Sequence, residues 1–170
     1  MKKIIMLTAI AFTISSVATA QREGKTWFSV GPEIGLVTGD ASSGWGLGIG
    51  ASVDAQHFFQ QNLTGDVSLG VVTYAGKSAG AGVKFKNYVT IPIKVGGRYF
   101  LGDNFHIGAQ IGVGINRVGG AGYTQFAYSP QIGYNFKNKN GKPLDLTFKY
   151  DGFAGNGNFS ALDLRLSLIL

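Results

Sequence analysis

The chain has 170 residues, a formal net charge of +6 at pH 7 and only 14% charged residues, against about 25% in soluble domains. It contains 27 glycines and no cysteine, which excludes disulfides and a lipid-modified N-terminal cysteine. No arginine-rich stripe or zinc-finger spacing indicates a nucleic-acid partner, and the low charge is typical of a protein whose surface does not mainly face water.

Residues 1–20 have the pattern of a cleaved signal peptide. Two lysines precede a short apolar run at 4–14, and Ala18-Thr19-Ala20 places small residues where a signal peptidase cleaves. The apolar run is about half of the roughly 20 residues that a membrane-spanning helix needs. We therefore expect export, with a signal peptide over 1–20 and a single mature domain over 21–170.

After this segment, apolar residues alternate with small or polar ones, which is the period of a β-strand. Most of the alternating runs reach the roughly 9–11 residues that a tilted transmembrane strand requires. An even number of such runs is typical of bacterial outer-membrane barrels. The pattern predicts an all-β, eight-stranded, antiparallel up-and-down transmembrane β-barrel, with strands at 27–37, 45–58, 63–74, 87–100, 105–117, 123–136, 144–152 and 159–170.

Short and long connections alternate between the predicted strands. Compact turns follow the second, fourth and sixth strands, at 60–62, 102–104 and 139–142. Connections rich in glycine and serine follow the other strands, and the longest covers 75–86. Outer-membrane barrels place short turns on the periplasmic side and longer loops outside. We therefore expect both chain ends to lie in the periplasm.

The two faces of the predicted strands differ in kind. One face carries large apolar residues, whereas the other carries small ones, such as Gly46, Gly48, Gly50 and Ser52 in the second strand. A water-facing surface normally carries lysine and glutamate, while small residues suit the crowded inside of a narrow barrel. We therefore predict that the apolar face contacts lipid. Aromatic residues near the strand ends are interpreted as two interfacial belts: Trp27, Phe28, Phe58, Phe59, Tyr99, Phe100, Phe105, Tyr134 and Phe136 at one end, and Trp45, Tyr74, Tyr88, Tyr123, Phe126, Tyr150 and Phe159 at the other.

Nearly all charged residues of the strands fall on the small-residue face, and ionised groups in so narrow a lumen are costly unless they are paired or hydrated. Since the first and last strands must meet to close the barrel, Glu33 and Arg165 are expected to pair. Lys94 and Arg98 are expected to meet Asp66 or another acid. Eight strands leave a lumen that side chains can fill, which favours a structural plug over a gated pathway. The predicted lumenal charge network consists of Glu33, Asp54, Asp66, Lys94, Arg98, Asp145, Lys149, Asp163 and Arg165.

The stretch YVTIPIKVGGRYFLGDNFHIGAQIGVGI, at 88–115, joins a predicted strand, a Gly-Asp-Asn turn and the next strand. It resembles the small outer-membrane β-barrel domain family, often described as porin-like, and more distantly the barrels of the outer membrane protein A and X type. The resemblance implies localisation in the bacterial outer membrane, among its lipids, after insertion by the barrel assembly machinery. Such barrels commonly end in an aromatic residue, whereas this chain ends in leucine. The assembly signal would then be the alternating residues Leu162, Leu164, Leu166, Leu168 and Leu170.

The expected role is that of a structural or interaction protein with a plugged lumen and without a cofactor or metal. Two alternatives stay open, namely a narrow porin-like channel for small solutes and a soluble lipocalin-like binding barrel. An enzyme is not expected, because catalysis needs a base, an orienting acid and a nucleophile within reach of one another, and neither His57 nor His106 belongs to such a pattern. Partners are expected at the extracellular loops, either a protein or, through Lys77, Lys84 and Lys86, anionic lipopolysaccharide.

Overall fold

A computed structural model of the chain describes residues 22–80, 82–137, 141–155 and 157–170. The predicted signal peptide lies outside these residues, as does part of the predicted turn at 139–142. A short 3-10 helix, Gly39–Ser43, follows the first strand, and no described helix is long and apolar enough to cross a membrane. The described strands are β1 (Thr26–Thr38), β2 (Trp45–Phe58), β3 (Leu63–Gly76), β4 (Ser78–Gly80), β5 (Val83–Lys84), β6 (Tyr88–Leu101), β7 (Phe105–Val118), β8 (Ala121–Lys137), β9 (Pro143–Ala154) and β10 (Phe159–Ile169).

Eight of these strands close into an antiparallel barrel in the order β1-β10-β9-β8-β7-β6-β3-β2. The first and last strands close it, with Glu33 opposite Arg165. A closed barrel gives every strand a partner on both sides, which the backbone needs in lipid. The predicted eight-stranded fold is therefore confirmed.

The predicted strand boundaries lie close to the observed ones. β2 covers 45–58 as predicted, whereas β3 continues two residues further, to Gly76, and β8 begins two residues earlier, at Ala121. β4 and β5 form a separate two-stranded ribbon inside the longest loop. With three and two residues, these strands are too short for an alternating pattern to predict them.

Both ends of the described chain lie at the same end of the barrel, which we call the terminal end. The Gly24 amide donates to the Phe58 carbonyl at 2.9 Å, and the Leu170 amide donates to the Phe28 carbonyl at 2.8 Å. Arg22 reaches the turn between β6 and β7, where Nη2 donates to the Asp103 carbonyl at 2.6 Å. The 3-10 helix and the β4–β5 ribbon lie at the opposite end, which we call the loop end.

Alternation along each strand separates an apolar outer face from a polar inner face. Ile49 on β2 is 66% exposed, whereas Asp54 on the same strand is 5% exposed. The glycines of the inner face leave space for large lumenal side chains. A methyl group at Gly35 would overlap the Asp163 carboxylate, and one at Gly133 would overlap the His106 ring. The core of this barrel is therefore its lumen.

Candidate functional site

The centre of the lumen holds a network of ion pairs, which we call the ionic layer, and part of it is built around Asp54 on β2. Asp54 Oδ2 accepts a hydrogen bond from Arg98 Nη2 at 3.0 Å and another from Arg165 Nη1. Arg98 Nη2 also lies 3.6 Å from Asp66 Oδ2, and its Nη1 lies 4.0 Å from Asp145 Oδ2. All five side chains are buried, so two guanidinium groups join carboxylates from three different strands.

The other part of the ionic layer lies nearer the loop end. Lys149 Nζ donates to both Glu33 oxygens at 3.0 Å and lies 3.5 Å from Asp151 Oδ2. Lys94 Nζ lies 2.7 Å from Asp151 Oδ1 and donates to Ser129 Oγ at 2.6 Å. The two parts are connected, because Glu33 Oε1 also lies 3.7 Å from Nε of Arg165.

All nine residues of the predicted charge network are buried in the lumen. The structure places Glu33 beside Arg165, and Arg98 beside Asp66 among other acids. Lys94 pairs with Asp151, a residue that sequence reasoning missed. The signal that could have found it is its position two residues after Lys149, on the same face of the same strand.

Asp163 differs from the other lumenal carboxylates. Within the described residues it makes no ion pair, and its oxygens accept instead from the Tyr74 hydroxyl at 3.1 and 3.3 Å. Its side chain is fully buried. The described lumenal residues include six carboxylates but only four lysine and arginine side chains. Asp163 is the carboxylate without a cation, and the Tyr74 hydroxyl stabilises it by hydrogen bonding.

The two histidines lie in different surroundings near the terminal end. His106 is fully buried, with Nε2 2.6 Å from Asp145 Oδ2. His57 is exposed, with Nδ1 2.9 Å from Thr26 Oγ1. Across the described ranges, no group of three or more His, Asp or Glu side chains is arranged to hold a metal ion. His106 therefore contacts the ionic layer through Asp145, whereas His57 lies on the rim.

Above the ionic layer, toward the loop end, the lumen is filled by an aromatic layer of Tyr74, Tyr88, Phe153 and Phe159. The rings of Tyr88 and Phe159 stack in parallel with centroids 4.0 Å apart, and the Tyr74 ring lies 5.0 Å from Phe159 at 61°. Trp45 packs against this layer, 5.8 Å from Tyr88. All four members are buried. The prediction that Tyr74, Tyr88 and Phe159 belong to an outer belt is wrong, because each lies on the inner face of its strand.

The predicted aromatic belt at the terminal end is also partly wrong. Phe58 and Phe100 are buried inside the lumen, with ring centroids 5.4 Å apart. Phe28, Phe59 and Tyr134 do face outward and are 56%, 60% and 49% exposed. Strand-end aromatics therefore divide between the outer belt and the lumen according to the face on which they stand.

Little free space is left inside the ionic layer. The cavity lined by Glu33, Asp54, Lys94, Lys149 and Arg165, among others, has a volume of about 10 Å³. A cavity of this size holds about one water molecule. The ionic layer can therefore position charges and water, but it has no room for a solute.

The leucines of the predicted assembly signal lie on the lipid-facing side of β10. Leu162, Leu164 and Leu166 are 36%, 39% and 42% exposed, and Leu170, just after the strand, is 73% exposed. Leu168 is partly buried. The apolar ridge is thus on the outer surface, beside the seam where β10 meets β1.

Comparison with solved structures finds the same fold in small bacterial outer-membrane barrels. The attachment invasion locus protein Ail of Yersinia pestis matches with a TM-score of 0.57 at 13% identity, over 87% of this chain and 99% of that chain. Ail in complex with the heparin analogue sucrose octasulfate matches with a TM-score of 0.55 at 12% identity, over 87% and 99%. Neisserial surface protein A matches with a TM-score of 0.55 at 13% identity, over 84% and 96%.

No family model matches the chain, and no curated protein matches it by sequence. The likeness is therefore one of fold. At that level it confirms the predicted resemblance to small outer-membrane barrels, and it supports the predicted localisation in the bacterial outer membrane. In the orientation expected from the sequence, the terminal end is periplasmic and the loop end is extracellular.

Proposed function

We propose that the protein is an integral outer-membrane barrel that is sealed by its own side chains and acts through its outer surface and loops. The observation that carries this proposal is the filling of the lumen. The ionic layer encloses a cavity of about 10 Å³, and the aromatic layer covers it toward the loop end. A solute would have to separate both layers to cross. The role is accordingly structural or interactive, and it needs neither catalysis nor a cofactor.

The two other functions predict different arrangements. A porin-like channel requires a continuous aqueous path, whereas the described lumen is closed at two levels. A soluble lipocalin-like barrel requires apolar side chains inside and polar ones outside, whereas here Leu47 and Ile49 face outward and Asp54 faces inward. The apolar outer face is the arrangement of a barrel in lipid.

The test of sealing is single-channel conductance of the protein in a planar bilayer. We expect the wild type to be silent. Glu33→Ala leaves Lys149 and Arg165 without a carboxylate that both contact, so transient openings should appear. Combining Glu33→Ala with Phe159→Ala removes a large side chain from each of the two layers and should give stable conductance steps. Ile34→Ala, on the lipid-facing side of the same strand, is the matched control and should stay silent. Stable ion-selective steps from the wild type would overturn the sealed barrel in favour of transport.

A second part of the proposal concerns the loop end, whose surface is basic. Lys77, Lys84, Lys86 and Arg117 are exposed there, against one exposed acid of the 3-10 helix, Asp40. Such a cluster attracts phosphate and sulfate groups. We propose lipopolysaccharide or another anionic sugar as its partner. Ail, which shares its fold with this chain, binds an anionic sugar of this kind, the heparin analogue sucrose octasulfate.

Binding of lipopolysaccharide to the protein in nanodiscs tests this partner. Lys84→Gln combined with Lys86→Gln should weaken binding, since each removes a cation from the ribbon or its flank. Dephosphorylated lipopolysaccharide should bind weakly to the wild type and to this double variant alike. Lys25→Gln, an equal change of charge at the terminal end, is the control. Equal affinity for phosphorylated and dephosphorylated forms would contradict an electrostatic partner.

The third part of the proposal is that the leucine ridge of β10 is the signal for the barrel assembly machinery. Leu164→Ser combined with Leu166→Ser should reduce the amount of barrel assembled in cells. The same variant should still refold in detergent, because the exposed side chains add little to the lumen. Ile49→Ser combined with Leu47→Ser, on β2, is the matched control. Equal assembly defects in both variants would mean that lipid-facing apolarity matters rather than a signal on β10.

A further inference from the structure

The terminal end of the lumen opens into a vestibule that the proposed function does not use. Its cavity volume is about 560 Å³, and its lining includes Arg22, Trp27, Asn135, Pro143 and Ile169. Ligand sites typically have volumes of about 300–1,000 Å³ and combine apolar walls with a few polar groups. The vestibule has both properties, whereas the ionic layer has room for about one water molecule.

Arg22 lies at the wall of this vestibule, between two aromatic rings and the turn after β6. Its guanidinium carbon lies 5.4 Å from the centroid of the Trp27 ring and 5.3 Å from that of Phe100. Nη2 donates to the Asp103 carbonyl at 2.6 Å. Stacking and hydrogen bonding together fix the plane of a guanidinium group. Partial burial lowers the pKa of Arg22, and the negative charge of Asp103 offsets part of this decrease. Arginine side chains are effectively always protonated at neutral pH.

Two polar atoms of the vestibule residues are left over. Arg22 Nη1 and Asn135 Oδ1 are buried, and neither makes a hydrogen bond with the described residues. One is a charged donor and the other is an acceptor. Buried polar atoms normally have partners, because leaving them unpaired is unfavourable. Both residues line the same cavity, and a ligand that offers an anionic acceptor and an N–H donor would satisfy both atoms.

We propose that the vestibule binds the carboxylate end of a peptide-like molecule from the periplasmic side. The carboxylate would accept from Arg22 Nη1, which suits the planar fork of a guanidinium group. An amide N–H of the ligand would donate to Asn135 Oδ1, and an apolar side chain would pack on Trp27, Pro143 and Ile169. Lys137, also in the lining, adds positive charge. The site stands apart from the sealing of the lumen, so either inference can fail without the other.

Two sources in the periplasm carry this chemistry, namely the C-terminus of an exported polypeptide, made of L-residues, and cell-wall peptides that contain D-residues. The probes are N-acetyl-dialanine in the L,L and the D,D form, each as the free carboxylate and as the carboxamide. The protein, purified from membranes into detergent, carries two tryptophans. Trp45→Phe leaves Trp27, at the vestibule, as the only tryptophan, which can be excited selectively over the seven tyrosines.

We expect a saturable change in Trp27 fluorescence with at least one carboxylate probe and about tenfold weaker binding of its carboxamide. Arg22→Gln should lose the same factor. Arg22→Lys, which keeps the charge without the fork, should fall between the two. Lys25→Gln, an equal change of charge outside the vestibule, should bind as the parent does. Preference for the L,L or the D,D form then identifies the source.

The absence of a saturable change with all four probes would overturn the proposal. Equal binding of carboxylate and carboxamide, or full binding by Arg22→Gln, would also overturn it, because the arginine would then not recognise a charge. If Arg22→Gln fails to fold, the carboxamide comparison and the Arg22→Lys variant still decide the question. Asn135→Leu removes the amide acceptor but leaves the charge of Arg22 in place. It should weaken the binding of the probes while preserving the preference for the carboxylate over the carboxamide.

Discussion

The ionic and aromatic layers of the lumen exclude solutes by different physical means. In the ionic layer, each cation contacts at least one carboxylate from another strand. Arg98, for example, contacts acids on the three strands β2, β3 and β9. In the aromatic layer, the rings of Tyr88, Phe153 and Phe159 fill space and pack against one another. The first layer depends on charge balance and the second on volume. The two layers should therefore respond to different kinds of substitution.

The largest effect is expected from removing a cation of the ionic layer. Arg98→Ala leaves Asp54, Asp66 and Asp145 without their shared guanidinium group. Breaking a buried ion pair by removing one partner costs about 3–5 kcal/mol, and the free energy of unfolding in urea, measured in lipid vesicles, should fall by that amount. Arg117→Ala removes an exposed arginine from the rim of β7 and should change stability by less than about 0.5 kcal/mol. Similar losses in both variants would mean that pairing in the lumen is not the source of stability.

A smaller effect is expected from adding volume beside the aromatic layer. A methyl group at Gly48 would overlap the Tyr74 ring. Overpacking costs about 1–3 kcal/mol, and Gly48→Ala should also alter the near-ultraviolet circular dichroism of the aromatic layer. Gly46→Ala, two residues away on the same face, meets only the flexible end of Lys77, at 3.1 Å. If Gly46→Ala is as disruptive as Gly48→Ala, the effect arises from the strand backbone and not from the rings.

The two layers also differ in how far the sequence predicts them. Alternation with a period of two places Lys94, Arg98 and Arg165 on the inner face, because charged side chains on the other face would enter lipid. It does not say which acid each one meets, since that depends on the register of strands that are distant in the chain. Lys94 on β6 shows this. Its partner, Asp151, lies on β9, a strand that is not a neighbour of β6 in the sheet.

The aromatic layer was missed for a different reason. An aromatic residue near a strand end suits both an interfacial belt and a lumen, so residue type alone does not decide between them. The face of the strand does decide. Tyr74 shares its face with Asp66 on β3, Tyr88 shares its face with Lys94 on β6, and Phe159 shares its face with Arg165 on β10. Counting in twos from a charged residue would have placed all three rings inside.

The vestibule could not have been predicted from the sequence. Arg22 precedes β1 and lies outside any alternating pattern, and its contacts come from Trp27 on β1, Phe100 on β6 and the turn after β6. Such a site depends on how several strand ends meet after the barrel has closed. The same limit applies to the contact between Tyr74 and Asp163, which lie on strands β3 and β10 that do not pair with each other.

Tyr74 contacts both the aromatic layer and Asp163, the lumenal carboxylate without an ion pair among the described residues, and Tyr74→Phe separates these two contacts. The ring packs on Phe159, while the hydroxyl donates to Asp163 at 3.1 and 3.3 Å. These distances are long for O–H···O hydrogen bonds, so the loss in unfolding free energy should be about 1 kcal/mol. Because the ring remains, the near-ultraviolet signal of the aromatic layer should be unchanged. Tyr99→Phe, on the outer face of β6, is the control and should leave stability unchanged.

A double-mutant cycle with Asp163→Asn tests whether the hydroxyl acts through that carboxylate. Each substitution changes the same contact, so their effects on the free energy of unfolding should not add, and the coupling energy should be about 1 kcal/mol. Additive effects would mean that Asp163 is stabilised independently of the Tyr74 hydroxyl. A coupling close to the full loss in Tyr74→Phe would mean that the hydroxyl stabilises the barrel through Asp163, the carboxylate that no described cation pairs with.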